Sequence, residues 1–154
     1  APIQLDEIAR SVTQELQPAA EAKGLTLTYI GDGPVATIAD KVRVKQILYN
    51  LITNAIKFTN EGKVNLSMLH SNDKIVFSVS DTGNGISKAD ARRVFQRFQQ
   101  VDGSMTRQNG GLGLGLAISE QLATLHGGSL SMDSELGVGS TFSLTLPRDT
   151  VSTL

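Results

Sequence analysis

Apolar residues recur at Leu5, Ile8, Val12, Leu16 and Ala19, the spacing of an amphipathic helix over 5–22. Pro18 falls late in that run, where proline kinks or ends a helix, and Gly24 supplies a stop. Residues 25–30 (LTLTYI) alternate and predict a strand, and 35–39 (VATIA) predict a second after a Gly-Pro turn. Asp40 is placed to cap a helix running to about Thr59. Its core stripe is Val44, Ile47, Leu48, Leu51 and Ala55. Residues 64–70 and 75–81 alternate as two strands joined by a Ser71-Asn72-Asp73 turn. Ser87 caps a short helix to about Phe98. Residues 99–113 are polar, glycine-rich and without period, the mark of a functional or mobile loop. A further helix follows over 114–125, with Leu114, Ile118, Leu122 and Leu125 on one face. Strands at 129–134 and 140–146 flank a turn at Gly137–Gly139. After the helix at 5–22, the order ββ, α, ββ, α, loop, α, ββ predicts an α+β sandwich with helices on one face of a mostly antiparallel sheet.

Composition narrows what such a domain does. The chain has 154 residues, one domain's worth, and a formal charge of −1. Neither a nucleic-acid footprint nor a membrane span is visible. The absence of cysteine excludes disulfides, zinc knuckles and thiol nucleophiles, and two histidines leave little for a transition metal. Eleven of the 15 glycines lie between Gly83 and Gly139, which points to backbone brought close to a ligand. The start at Ala-Pro-Ile reads as a cut inside a longer protein.

Three segments carry candidate chemistry. Asn50, Asn54 and Lys57 fall at i, i+4 and i+7 of the second long helix and so share a stripe. Asparagine is a poor mid-helix residue, and an amide oxygen with a nearby ammonium suits Mg²⁺ and phosphate. An ordinary exposed helix face is the competing reading, and from spacing alone the commoner one. On strand 75–81, Asp81 shares the face of Ile75, Phe77 and Val79, so it points inward, where a carboxylate needs a partner. Gly83 and Gly85 follow, so it sits at the bottom of a glycine-lined pocket or caps a turn. An aspartic-protease triplet at Asp81-Thr82-Gly83 would need a second Asp, and Asn84 does not fit it. The run Gly110 to Gly115 leads into a helix N-terminus, where backbone N–H groups favour anions. It fits neither the Walker nor the Rossmann pattern.

Together these pieces resemble the catalytic ATP-binding domain of sensor histidine kinases, in the superfamily that also holds gyrase, heat-shock chaperone and mismatch-repair ATPases. QILYNLITNAIKFT from Gln46 resembles the N box, and Asp81-Thr82-Gly83-Asn84-Gly85-Ile86 the first glycine box. Val94-Phe95-Gln96-Arg97-Phe98 resembles the F box. Gly111 to Ile118 and Gly137 to Phe142 resemble the later glycine boxes. The resemblance implies a two-layer α/β sandwich of the Bergerat type, a mixed five-stranded sheet with three helices on one face. The domain would span 1–148, with a lid at about 99–113 and a frayed tail at 149–154.

It also implies roles. Asn54 would hold Mg²⁺ at the phosphates, Asn50 would line the site, Lys57 would reach a phosphate, and Phe58 would pack on adenine or ribose. Asp81 would accept from the adenine amine, within a pocket shaped by Gly83, Gly85 and Ile86. Phe98, Leu112 and Leu116 join the ATP-binding set; Gly111, Gly113, Leu114 and Gly115 would close over the phosphates, and Thr141 would support the base. Leu112 stands where Thr or Ser is usual, and Arg97 is an unusual F-box residue.

No phosphoacceptor motif surrounds His70 or His126. The resemblance therefore implies an acceptor His and dimerising helices upstream, and no catalytic nucleophile within this chain. Its implied partners are that helical domain and a response-regulator receiver domain, with no nucleic acid. The fragment would be monomeric and the parent dimeric, of hybrid type from Phe98 to Asp102 and Thr106-Arg107. The domain would be cytoplasmic, compatible with a membrane-anchored parent. A degenerate nucleotide-binding interaction module is the alternative function.

Overall fold

The computed structural model describes residues 2–82, 119, 121–124, 127–135 and 139–148. Two helices, α1 (Leu5–Ala22) and α2 (Lys41–Phe58), cover one face of a five-stranded sheet. That sheet contains β2 (Thr26–Gly31), β4 (Lys63–His70), β5 (Lys74–Asp81), β6 (Ser129–Glu135) and β7 (Gly139–Pro147). Its order is β2-β4-β5-β7-β6. β2 runs parallel to β4, and the other neighbours are antiparallel. This is the mixed sheet with helices that the resemblance implies. Residues 121–124 are helical, and Leu122 and Ala123 join the same core. The expected helix at 87–98 lies outside the described residues.

Alternation in the strands explains the two layers. Val64, Leu66, Met68, Ile75, Phe77, Val79, Phe142, Leu144 and Leu146 face the helices and are buried. Apart from Val76, the residues between them are polar, and hydroxyls pair across strands on the other face: Ser78 with Ser143 and Ser80 with Thr141, each at 3.1 Å. A sheet with one apolar and one hydroxyl-lined face needs helices on one side only.

Three details depart from the sequence pattern. β3 (Ala36–Ile38) does not join the main sheet but pairs antiparallel with β1 (Pro2–Gln4), a strand too short to leave a periodic signal. α1 continues through Pro18 to Ala22, because Pro18 lies on the exposed side and removes only one backbone donor. Its apolar stripe ends on buried Ala20, four residues after Leu16, while Ala19 is exposed. Among the described residues, no helix is long and apolar enough to cross a membrane.

Where α1 meets β2, the Tyr29 hydroxyl and Asp6 Oδ1 are both buried without a hydrogen-bond partner among the described residues. Burial first, and then the Asp6 charge, push the Tyr29 phenol above its usual value, with Arg10 pulling the other way. A raised phenol contributes stability that is complete below about pH 10 and is lost as pH climbs through the folded value. Tyr29→Phe removes an unsatisfied hydroxyl, so its Tm at pH 7 should equal or exceed that of the parent. Thermal melts between pH 7 and 11 should also show a shallower alkaline loss in the variant.

Candidate functional site

β5 is the central strand, and it ends at Asp81 on the core face. The carboxylate is half-buried, and the backbone N–H of Ser140 donates to its Oδ1 at 3.3 Å. β7 can start flush beside it because Gly139 has φ +146, and a Cβ there would overlap the carbonyl oxygen of Asp81. The next residue, Thr82, fastens the other side. Its Oγ1 accepts from the Lys63 N–H at 3.1 Å and donates to the Glu61 carbonyl at 3.4 Å, and its own N–H donates to the Lys63 carbonyl at 3.2 Å.

These bonds tie the end of β5 to the loop that follows α2. Only four residues separate the end of α2 from β4, five Cα steps that reach about 18 Å at most. The last turns of α2 and Asp81 therefore lie at one end of the sheet. α2 begins at Asp40, whose Oδ1 accepts from the N–H groups of Val42 and Arg43 at 3.0 and 3.3 Å. Val44, Ile47, Leu48, Leu51, Ile52, Ala55 and Ile56 form its buried face.

The polar stripe of α2 is not an ordinary exposed face. Asn54 is only 6% exposed, and its Nδ2 has no hydrogen-bond partner among the described residues. Asn50 is half-buried and donates to the Oγ of Ser119 at 3.4 Å, which ties α2 to the helical segment near 121–124. Lys57 is exposed one turn beyond Asn54, and Phe58 is the last helical residue.

Thr141 is not brought together with Asp81. Its side chain lies on the hydroxyl-lined face with Ser80, and buried Ser140 holds the position on the Asp81 face. The alternation through Phe142, Leu144 and Leu146 carried this signal, since it places residue 140 and not 141 inward. Thr82 and Ser119 were also missed, and neither left a periodic signal. The side chain of Phe58 lies outside the described residues. So do Gly83, Gly85, Ile86, Phe98, Gly111, Leu112, Gly113, Leu114, Gly115, Leu116 and the whole expected lid.

His70 sits at the opposite end of the sheet. It pairs with Ile75 while Val64 pairs with Asp81, a separation of six strand steps or about 20 Å. Its ring nitrogens meet the Asp32 carbonyl at 3.3 Å and Arg148 Nη1 at 3.2 Å. His126 lies outside the described residues. A cavity of about 590 Å³ opens between α1 and the first turns of α2, against Glu7, Ile8, Lys41 and Lys45, but it holds none of the predicted site residues. Among the described residues, no three His, Cys, Asp or Glu side chains cluster as metal ligands.

Residues 39–150 match the family described as histidine kinase-, DNA gyrase B-, and HSP90-like ATPases. Relatives include the sensor histidine kinase GacS of Pseudomonas protegens, 44% identical over 156 residues. That match takes in 96% of this chain and 17% of GacS. Another is the hybrid signal transduction histidine kinase B of Dictyostelium discoideum, 41% identical over 150 residues, covering 93% of this chain and 7% of that protein. The chain thus spans less than a fifth of either. Among solved structures, full-length ShkA in complex with AMPPNP superposes with a TM-score of 0.85 at 33% identity, over 98% of this chain and 31% of that one. The nucleotide-free catalytic domain of the histidine kinase ThkA shares the fold, with a TM-score of 0.81 at 24% identity over 96% of both chains.

Gly139→Ala should destabilise the chain by more than the roughly 1 kcal/mol that a left-handed backbone alone costs. The added methyl must displace Asp81. Gly33→Ala, also at positive φ but with nothing within 4 Å of the new methyl, should show only the backbone cost. Urea unfolding of both variants measures the difference.

Proposed function

The chain belongs to the family of histidine kinase-, DNA gyrase B-, and HSP90-like ATPases, and we propose that it is the catalytic half of a sensor histidine kinase. In this reading it presents Mg-ATP for γ-phosphoryl transfer to a His on a separate dimerisation domain of the same protein. What supports the reading is that Asp81 and the last turns of α2, which carry Asn54 and Lys57, lie at the same end of the sheet. One supplies a half-buried acceptor fit for an adenine amine; the other supplies an amide and an ammonium for the polyphosphate.

Asp81 would select the base, with Ser140 beside it in the place that Thr141 does not fill. The fit to Mg²⁺ rests on Asn54. Its buried amide has an unpartnered nitrogen, and an amide of that kind can turn its oxygen to a hard cation. With no carboxylate cluster among the described residues, the remaining ligands would be phosphate oxygens and water. Bound there, the ion supplies charge compensation between phosphates. Asn54 would hold that ion, and Lys57 would set the phosphate chain in line with an incoming imidazole. Gly83, Gly85, Ile86, Phe98, Leu112, Leu116 and the glycines from Gly111 to Gly115 would complete the pocket, with 99–113 as its lid. Similarity to GacS and to the Dictyostelium hybrid kinase supports a parent that also carries dimerisation and receiver domains. His70 is about 20 Å from Asp81 along the sheet, which supports an acceptor outside this chain.

Isothermal titration tests the site. Asp81→Asn weakens the acceptor and turns a donor toward the adenine amine, at a cost of about 1.5–3 kcal/mol. ATP and ADP affinity should both fall roughly tenfold to a hundredfold, and unchanged ADP affinity would remove Asp81 from the adenine pocket. Asn54→Ala should abolish the gain in ATP affinity that Mg²⁺ gives, while metal-free binding persists. Incubated alone with radiolabelled ATP, the chain should remain unlabelled. Adding the parent's helical domain should give acid-labile label on that domain; ATP binding without such transfer would favour the degenerate module.

A further inference from the structure

The C-terminal end of α2 carries Lys57, yet it lacks the usual means of stopping a helix. The last carbonyls of any helix need donors from outside it. α1 meets that need with its own backbone: Gly24, at φ +73, and Leu25 donate N–H groups to the carbonyls of Glu21 and Ala20 at 2.9 Å each, a Schellman arrangement. After α2, by contrast, Thr59 is extended, and its N–H makes only a long 3.4 Å bond to the Ile56 carbonyl. The donor comes from 33 residues upstream. Lys23 Nζ donates to the carbonyl of Ile56 at 2.8 Å and to that of Lys57 at 3.0 Å. Lys23 is the C-cap residue of α1, so the turn that ends α1 also aims this ammonium at the end of α2.

We propose that Lys23, which lies outside every family motif quoted above, is a positioning residue of the nucleotide site: it closes the last turn of α2 and thereby fixes Lys57 against the phosphates. The inference rests on the nucleotide-site reading given under Proposed function. Its physical basis is twofold. An ammonium at a helix C-terminus offsets the negative end of the helix dipole, and two bonds to adjacent carbonyls hold the turn most prone to fraying. Asn54 lies one turn earlier, inside the packed part of α2, so it keeps its place when the end frays. Lys57 does not. Losing Lys23 therefore affects the phosphate part of binding and leaves the base part intact.

The test compares Lys23→Met and Lys23→Arg with the parent chain, titrating Mg-ATP and adenosine separately. Lys23→Met should weaken Mg-ATP about two- to fivefold, leave adenosine affinity unchanged, and speed amide exchange at Lys57–Thr59 in the free protein. Lys23→Arg keeps donors for both carbonyls and should restore Mg-ATP affinity. A purely structural role would lower Tm and weaken both ligands alike, and that result overturns the proposal. So does a Lys23→Met variant with parental Mg-ATP affinity. A parent chain that binds no Mg-ATP would instead overturn the function reading, and this inference with it.

Discussion

A carboxylate carried inward on the central strand of a sheet must find partners or be pushed out, because burying it alone is costly. Asp81 is that group, and the neighbouring chain is arranged around it. On one side, Gly139 lets β7 begin flush with β5, which brings the Ser140 N–H to the Asp81 oxygen. On the other, Thr82 is bonded to Lys63 and Glu61, so the loop leaving α2 cannot drift from the end of β5. A change in the register of either neighbour would move the carboxylate relative to α2. The candidate site is in this sense a consequence of strand pairing.

The two ends of the sheet are built differently. At the Asp81 end arrive the C-termini of both helices, the starts of β2, β4 and β7, and the end of β5. Helix C-termini leave carbonyls in need of donors, and Lys23, from the end of α1, answers that need for α2. At the other end the chain knits to itself. His70 lies between Asp32 and Arg148, and Arg148 also bonds to the Ser71 and Asp73 carbonyls. The first end offers unpaired polar capacity in the buried Asn54 amide. At the second, His70, Asp32, Arg148 and the Ser71–Asp73 turn bond to one another, and only the Arg148 Nε is buried there without a partner among the described residues.

Much of this was legible in the sequence, for identifiable reasons. The alternation at 64–70, 75–81 and 140–146 and the 3.6-residue stripes of both helices come from one-sided burial, which is a local pattern. Asp40 announced the start of α2 because a cap acts within three residues. On β5, Asp81 stood out as a polar side chain falling where the pattern demands an apolar one; on α2, Asn50 and Asn54 stood out only as asparagines unusual in mid-helix, on a stripe apart from the apolar one. What could not be read depends on contacts distant in sequence. β1 and β3 pair through three residues each, too few for periodicity. Lys23 and Thr82 act by bonds across 33 and 19 residues. Thr141 shows the opposite case: the pattern held the answer, since alternation turns Ser140 inward.

If Asp81 and the last turns of α2 share one nucleotide site, backbone NMR during a Mg-ATP titration will report both together. Shifts should change at Asp81, Thr82, Ser140 and residues 54–58, while Asp32, Leu69 and His70 stay still. Changes concentrated around His70, or confined to the cavity between Glu7 and Lys45 with Asp81 unmoved, would contradict it.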